Sequence, residues 1–202
     1  MKIIFISTKS ITFNTFLKSQ ADYFIKKGLE VEVACSDIEK LNFNNNLKHR
    51  IDFPNKVTDL FNLLMYFSIF IQIKKLVKKN PLAKFYLHTP VASHLFRIFT
   101  FFDKLQIIYF VHGFRFTTIT NSIKAFFFKT IEKILSFKTD IYITINNEDY
   151  NFVKTNFSKR ASCYKTKGVG LNLTLKHFKK KLKKIKKIKK ILVISAYKIE
   201  KG

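Results

Sequence analysis

Residues Gln106 to Phe116 read QIIYFVHGFRF, and this stretch constrains the fold more than any other in the chain. Ile107 to Val111 is an unbroken apolar run rich in β-branched and aromatic residues. Such a run suits a strand covered on both faces, as in a parallel sheet with helices on either side. It stops at His112-Gly113, a polar ring followed by a residue that tolerates positive φ and close approach of a ligand or another backbone. In open parallel sheets, ligands sit at the carboxyl ends of the strands, and that is where His112 falls. Three other strand-like runs end in polar tips. Lys2 to Ile6 runs into Ser7-Thr8-Lys9-Ser10, Lys84 to Leu87 into His88-Thr89-Pro90, and Ile141 to Ile143 into Thr144-Ile145-Asn146-Asn147. Four apolar strands with polar tips on one rim describe a binding edge as well as a core.

The segments between these strands carry helical spacing. Phe13, Phe16, Leu17, Ala21, Phe24 and Ile25 define one face of a helix over Phe13 to Lys27, closed by Gly28. Glu30 to Ala34 is the next strand, completing a βαβ unit. Ile38 to Lys48 is polar and Asn-rich, as a surface loop would be, and Arg50 to Phe53 is a possible short strand. Thr58 to Lys79, Val91 to Phe102, Asn121 to Phe137 and a segment capped by Asn147 and running to Asn156 are predicted helices. Ser162 to Lys165 is a final short strand. The alternation predicts an α/β fold with a doubly wound, Rossmann-like parallel sheet.

Gly168-Val169-Gly170 ends that alternation and reads as a hinge. Beyond it, Phe178, Leu182, Ile185 and Ile188 recur among lysines as in a basic amphipathic helix, and Ile191 to Ile194 opens another strand. The expected organisation is one domain over residues 1–170, a basic linker or helix over 171–190, and the first strand and loop of an incomplete second domain over 191–202. On this reading the chain is truncated.

The formal net charge is +25, and ten lysines fall between Lys176 and Lys190. A charge of that sign attracts nucleic acid, anionic lipid or phosphorylated small molecules. Within the lysine stretch Phe178 is the one aromatic residue, so it offers no stacking platform for bases, and nucleic acid is the disfavoured partner. Cys35 and Cys163 have no metal-type spacing and read as buried thiols. The N-terminus lacks the apolar region of a secretory signal, and Leu60 to Ile73 is too short and too polar to span a bilayer.

The order HTP (His88 to Pro90), VHGFRF (Val111 to Phe116), ITINNEDY (Ile143 to Tyr150) and GVG (Gly168 to Gly170) resembles the N-terminal domain of bacterial family 4 glycosyltransferases, in the capsular and exopolysaccharide branch. The resemblance implies the N-terminal half of a two-domain GT-B fold, whose first domain receives the acceptor and whose second holds most of the nucleotide sugar. It also implies hexosyl transfer to a lipid-linked or oligosaccharide acceptor, with retention of configuration, no obligatory metal and no cofactor beyond the nucleotide-sugar substrate. The protein would be cytoplasmic and peripheral on the inner face of the membrane. By the same resemblance His112 is the catalytic residue, and Thr8, Lys9, His88, Thr89, Gly113, Phe114, Asn146 and Glu148 line the acceptor side. Lys201 would meet donor phosphate, and Gly168 and Gly170 form the hinge. Ser195-Ala196 stands where many members carry Gly-Arg, and Ser7 to Ser10 lacks the family's frequent glycines.

Each residue also has a plainer reading. His112 is either a donor or cation beside developing phosphate charge, or a ring that satisfies loop carbonyls. His88 and Thr89 either touch an acceptor or belong to a helix start ahead of Pro90. Asn146 and Glu148 either line the cleft or, with Asn147, begin a helix. Arg97 either reaches the cleft or is solvated, and His94 packs within its helix. The competing class of function is a non-catalytic basic protein on an anionic membrane surface or nucleic acid. Candidate membrane patches are Lys179 to Lys190 with its apolar stripe, and Phe126 to Phe128 with Lys124 and Lys129.

Overall fold

The computed structural model describes residues 1–43, 47–54, 59, 62–114, 116, 122–157 and 161–168. All of them belong to the compact unit Met1–Gly170. The basic segment 171–190, the strand expected over 191–202, Gly170 and Lys201 lie outside the described residues, as does the side chain of Lys124.

Seven strands form one parallel sheet: β1 (Lys2–Ile6), β2 (Glu30–Cys35), β3 (Lys48–Arg50), β4 (Lys84–Leu87), β5 (Gln106–Val111), β6 (Ile141–Thr144) and β7 (Ser162–Lys165). Their spatial order is β3-β2-β1-β4-β5-β6-β7, with every neighbouring pair parallel. The order reverses between β1 and β4, which makes the crevice beyond their carboxyl ends the topological switch point. This is the Rossmann-like α/β fold expected from the alternation of elements.

Two apolar clusters flank the sheet. One joins Ile69, Ile73 and Leu76 of α3 (Leu63–Lys79), Ala92 and Phe96 of α4 (Pro90–Phe99), and Val153 and Phe157 of α6 (Asn147–Phe157) to Ile4, Phe85, Tyr109 and Tyr142. The other joins Phe13, Leu17 and Ala21 to Phe5, Val31, Tyr86 and Phe110. Successive strand residues thus feed opposite clusters, because side chains alternate across a strand.

Several boundaries differ from the sequence reading. The first helical run is α1 (Ser10–Thr12), a π segment (Phe13–Leu17) and α2 (Lys18–Lys26). The wider π turn changes the angular register, so Phe16 and Ile25, expected on the buried face, are 40% and 43% exposed. Helix α3 begins at Leu63, because Asn62 accepts a capping bond from Met65 N at 3.1 Å and so satisfies an otherwise orphaned amide. The loop after β2 is less superficial than its polarity suggested: Leu41 and Phe43 are buried against the Phe13 cluster, and Phe43 meets the Phe13 ring at 5.2 Å. The short strand comes earlier, at Lys48–Arg50, while Ile51 and Phe53 follow it as buried packing residues. Helix α5 spans Ser122–Leu135, and a 3-10 turn over Ser136–Lys138 leads into β6.

Candidate functional site

The switch-point crevice is built from the tips of β1 and β4. Thr89 caps α4 with φ +65°, a conformation a β-branched residue adopts only under constraint. Its hydroxyl does not cap its own helix. Instead Thr89 Oγ1 accepts from Thr8 N at 3.1 Å and lies 2.7 Å from Thr8 Oγ1. The strained backbone therefore clamps the β1 loop against the β4 loop, at the point where the strand order reverses. Ser36 donates to Thr8 O at 2.7 Å, and Ser10 N donates to Asp37 at 2.6 Å, so β2 holds the same loop from its other side. Lys9 projects from this loop, exposed.

His112 follows at the tip of β5, half-buried, with its ring 4.8 Å from that of Phe110. Its Nε2 lies 3.3 Å from Nδ1 of His88. Burial lowers the pKa of His112, and that of His88 falls well below the ordinary value through complete burial and the neighbouring His112. The free site consequently presents a neutral imidazole pair at pH 7, and of the two roles expected for His112 the neutral donor fits better than the cation. His88, expected at the acceptor surface, is fully buried and stands behind His112.

Gly113, at φ +124°, redirects the chain immediately after His112, and no atom lies within 4 Å of where its Cβ would be. The glycine serves backbone geometry, not close packing. Phe114, also expected at the acceptor surface, turns into the core instead. It is 8% exposed and stacks on Phe116 at 4.9 Å, with Phe152 at 5.6 Å. Its amide donates to Asp149 Oδ1 at 3.2 Å. Asp149 is itself buried and accepts from Asn146 Nδ2 at 2.6 Å, while Asn146 Oδ1 accepts from Asp149 N at 2.7 Å. Asn146, one residue before the expected Asn147, is therefore the cap of α6, and its side chain is committed to that role. Glu148 is exposed in the first turn, where a carboxylate complements the helix dipole. Gly168 follows β7 with φ +122°, a backbone conformation that favours glycine.

Sequence reading missed the polar network behind this loop. Arg97, expected in the cleft or in solvent, is fully buried and forms a two-pronged ion pair with Glu132, at 2.6 Å and 3.0 Å. Tyr142 OH donates to Glu132 at 3.1 Å, His94 Nε2 lies 3.1 Å from the same carboxylate, and the guanidinium sits 4.5 Å from the Tyr109 ring centroid. Burial alone would raise the pKa of Glu132, but Arg97 and the His94 hydrogen bond outweigh it and hold the carboxyl at about 2. The available signals were Glu132 as the lone acid of an aromatic, basic helix and Arg97 inside the apolar run HLFRIF. Gly113, Phe114, His94 and Glu132 line one recess, so the network adjoins the His112 loop. Cys35 is buried, as expected, whereas Cys163 is partly exposed, and burial pushes the Cys35 thiol up to about 12. Among the described residues no group of three His, Cys, Asp or Glu side chains is placed to hold a metal ion.

Residues 2–146 match the family described as glycosyl transferase 4-like. The chain belongs to that family. This glycosyl transferase 4-like chain is 30% identical over 174 residues, 85% of its length, to "Putative glycosyltransferase EpsD" of Bacillus subtilis (strain 168). It spans 44% of that relative's length, so less than half of the relative has a counterpart here. Among solved structures, sucrose-phosphate synthase from Thermosynechococcus elongatus superposes with a TM-score of 0.61 at 10% identity, over 82% of this chain and 47% of the other. Anabaena Alr3699/HepE, solved in complex with UDP, superposes with a TM-score of 0.50 at 13% identity, over 81% and 44% of the two chains. At such identities the likeness bears on fold alone, and it agrees with a Rossmann-like domain of GT-B type.

Proposed function

We propose that residues 1–170 form the acceptor-side domain of a glycosyltransferase that moves a hexose-type unit from a nucleotide sugar to a lipid-linked or oligosaccharide acceptor in surface polysaccharide synthesis. One observation carries this reading: in a glycosyl transferase 4-like domain, the loops after β1, β4 and β5, at and beside the switch point of the strand order, carry Thr8, Thr89 and His112, with Gly113 turning the backbone directly after the histidine. The family and a relative named as a putative glycosyltransferase support transfer of a glycosyl unit. The chemistry expected is positional and electrostatic. A neutral His112 offers an N–H to a sugar hydroxyl or to a phosphate oxygen as the sugar–phosphate bond breaks. Transfer with retention, without a metal or other cofactor, belongs to the same proposal, as do a hinge at Gly168 and Gly170 and phosphate contact at Lys201.

A lipid-linked acceptor is met at the bilayer, and no helix among the described residues is long and apolar enough to cross one. Helix α5 presents Ile123, Phe126 and Phe127 at 77%, 72% and 62% exposure, with Lys129 and Lys133 also exposed. We read this as a reversible docking face for the anionic inner surface of the cytoplasmic membrane, each nearby lysine contributing about 1 kcal/mol.

The test offers the purified 202-residue chain lipid-linked saccharides, anionic and neutral vesicles, and RNA or DNA. Acceptor binding that weakens in His112→Ala, and salt-sensitive binding to anionic vesicles, are the expected results. Preferential, salt-sensitive binding to nucleic acid with no response to saccharide would overturn the proposal in favour of a basic binding protein.

A further inference from the structure

The His88 ring is enclosed by aromatic side chains from three adjacent strands. Phe5 of β1 stacks on it at 5.7 Å with an interplanar angle of 2°, Phe110 of β5 lies at 5.4 Å, and Tyr86 of β4 packs against it at 4.4 Å. The ring is fully buried, and its Nε2 has no hydrogen-bond partner among the described residues. Its other nitrogen, Nδ1, faces His112 Nε2 at 3.3 Å. A histidine with one nitrogen in an apolar cage and the other on a neighbouring histidine is doing more than filling space. A leucine or phenylalanine would pack there without a stranded polar atom.

Burial keeps both rings neutral, so each carries a single ring proton and only two arrangements allow a hydrogen bond between them. In the first, His112 donates from Nε2 and His88 carries its own proton on Nε2, an N–H buried in the cage without an acceptor. In the second, His88 donates from Nδ1 and leaves only a lone pair in the cage. Buried N–H groups without partners are rarer than under-used acceptors, so the second arrangement is favoured.

We propose that His88 is a positioning residue. Its Nδ1–H donates to His112 Nε2, holding His112 in the Nδ1–H form, so that the hydrogen His112 offers a ligand is always the one on Nδ1. Which ring nitrogen of a histidine is protonated is set by the hydrogen bond at the other. Here that second partner is another histidine, too deeply buried to compete for the ligand. The pair makes His112 a fixed donor and denies it the role of proton acceptor at Nδ1, the nitrogen that does not face His88. The catalytic meaning of this rests on the function proposed above, whereas the tautomer itself does not.

Nitrogen-15 correlation spectra of the 202-residue chain distinguish protonated from bare ring nitrogens directly. Free histidine in water favours the Nε2–H form, so both rings in the Nδ1–H form would be the mark of this environment. His88→Asn places an amide donor near the position of Nδ1 and is expected to preserve the His112 tautomer. His88→Leu removes the donor and is expected to shift His112 to a mixture or to the Nε2–H form, a change that lost packing alone does not produce. Should the leucine variant fail to fold, the unmodified chain and the asparagine variant still decide the matter. Nε2–H on His112 in the unmodified chain overturns the proposal, as does a His112 tautomer unmoved in folded His88→Leu. Titration with UDP separates the two readings. An Nδ1–H signal present but indifferent to UDP and to lipid-linked saccharide would leave the positioning role standing and sink the transferase role of His112.

Discussion

Glu132→Gln is the sharpest probe of how this domain holds its loops. Glu132 and Arg97 have side chains 1% and 0% exposed, and the carboxylate takes two bonds from Arg97 and one from Tyr142, with His94 beside it. Replacing the carboxylate by an amide of nearly equal size leaves the guanidinium buried without a counter-charge. Breaking such a pair from one side costs about 3–5 kcal/mol. For a chain of this size about 1 kcal/mol moves Tm by about 2–4 °C, so the variant should melt roughly 6–20 °C lower. The pH dependence supplies an independent check. The Glu132 pKa is depressed from 4.5 to about 2 on folding, so its contribution is fully present above 4.5 and is lost as pH falls toward 2. That loss amounts to about 3 kcal/mol in the unmodified chain and should vanish from the acid limb of Glu132→Gln. Urea melts between pH 2 and 7 measure both quantities. The double variant Arg97→Met with Glu132→Leu removes both charges at similar volume and should recover most of the loss. A single-variant cost below about 1 kcal/mol, or a double variant as unstable as two independent losses, would refute the view that the pair is a desolvated, mutually dependent unit.

Other outcomes follow from the rim. His112→Ala, in a family-length polypeptide carrying residues 1–202, should lower kcat/KM by ten- to a thousand-fold, about 1.4–4 kcal/mol of transition-state stabilisation, with Tm nearly unchanged. A lost melting transition with retained specific activity would make the ring structural. Thr89→Ala removes the hydroxyl that bridges β4 to Thr8 and should cost about 1 kcal/mol, whereas Thr89→Ser should be close to neutral; equal urea midpoints for the two would discount the clamp. Asp149→Ala leaves the Phe114 amide without its acceptor and the α6 cap without its partner. It should cost about 1–3 kcal/mol and speed hydrogen exchange at Phe114, and an unchanged exchange rate would argue that the Asp149 bond does not hold the loop.

The central strands were legible in the chain because a parallel strand covered on both faces is apolar along most of its length, and little else in a sequence looks like Ile107 to Val111, whereas the short polar edge strand β3 was placed too late. Their polar tips were legible for the same reason: the change from Val111 to His112 marks where the sheet stops excluding water. The parallel order, and hence the rim, followed from alternation of strands with helical spacing. Local patterns did not reveal which tip residues face outward. His88 and His112 both end apolar runs, yet His88 is sealed by Phe5, Tyr86 and Phe110 from three strands, a cage that exists only once the sheet order is set. Phe114 and Asn146 looked like ligand contacts, but the turn at Gly113 drives the first into the core and the start of α6 claims the second. Arg97 and Glu132 are 35 residues apart on different helices, and only packing of α4 and α5 on the sheet brings their opposite charges together. The residues able to form strands and a rim were settled by local sequence. Which of them meet a ligand was settled by burial, a property of the whole fold.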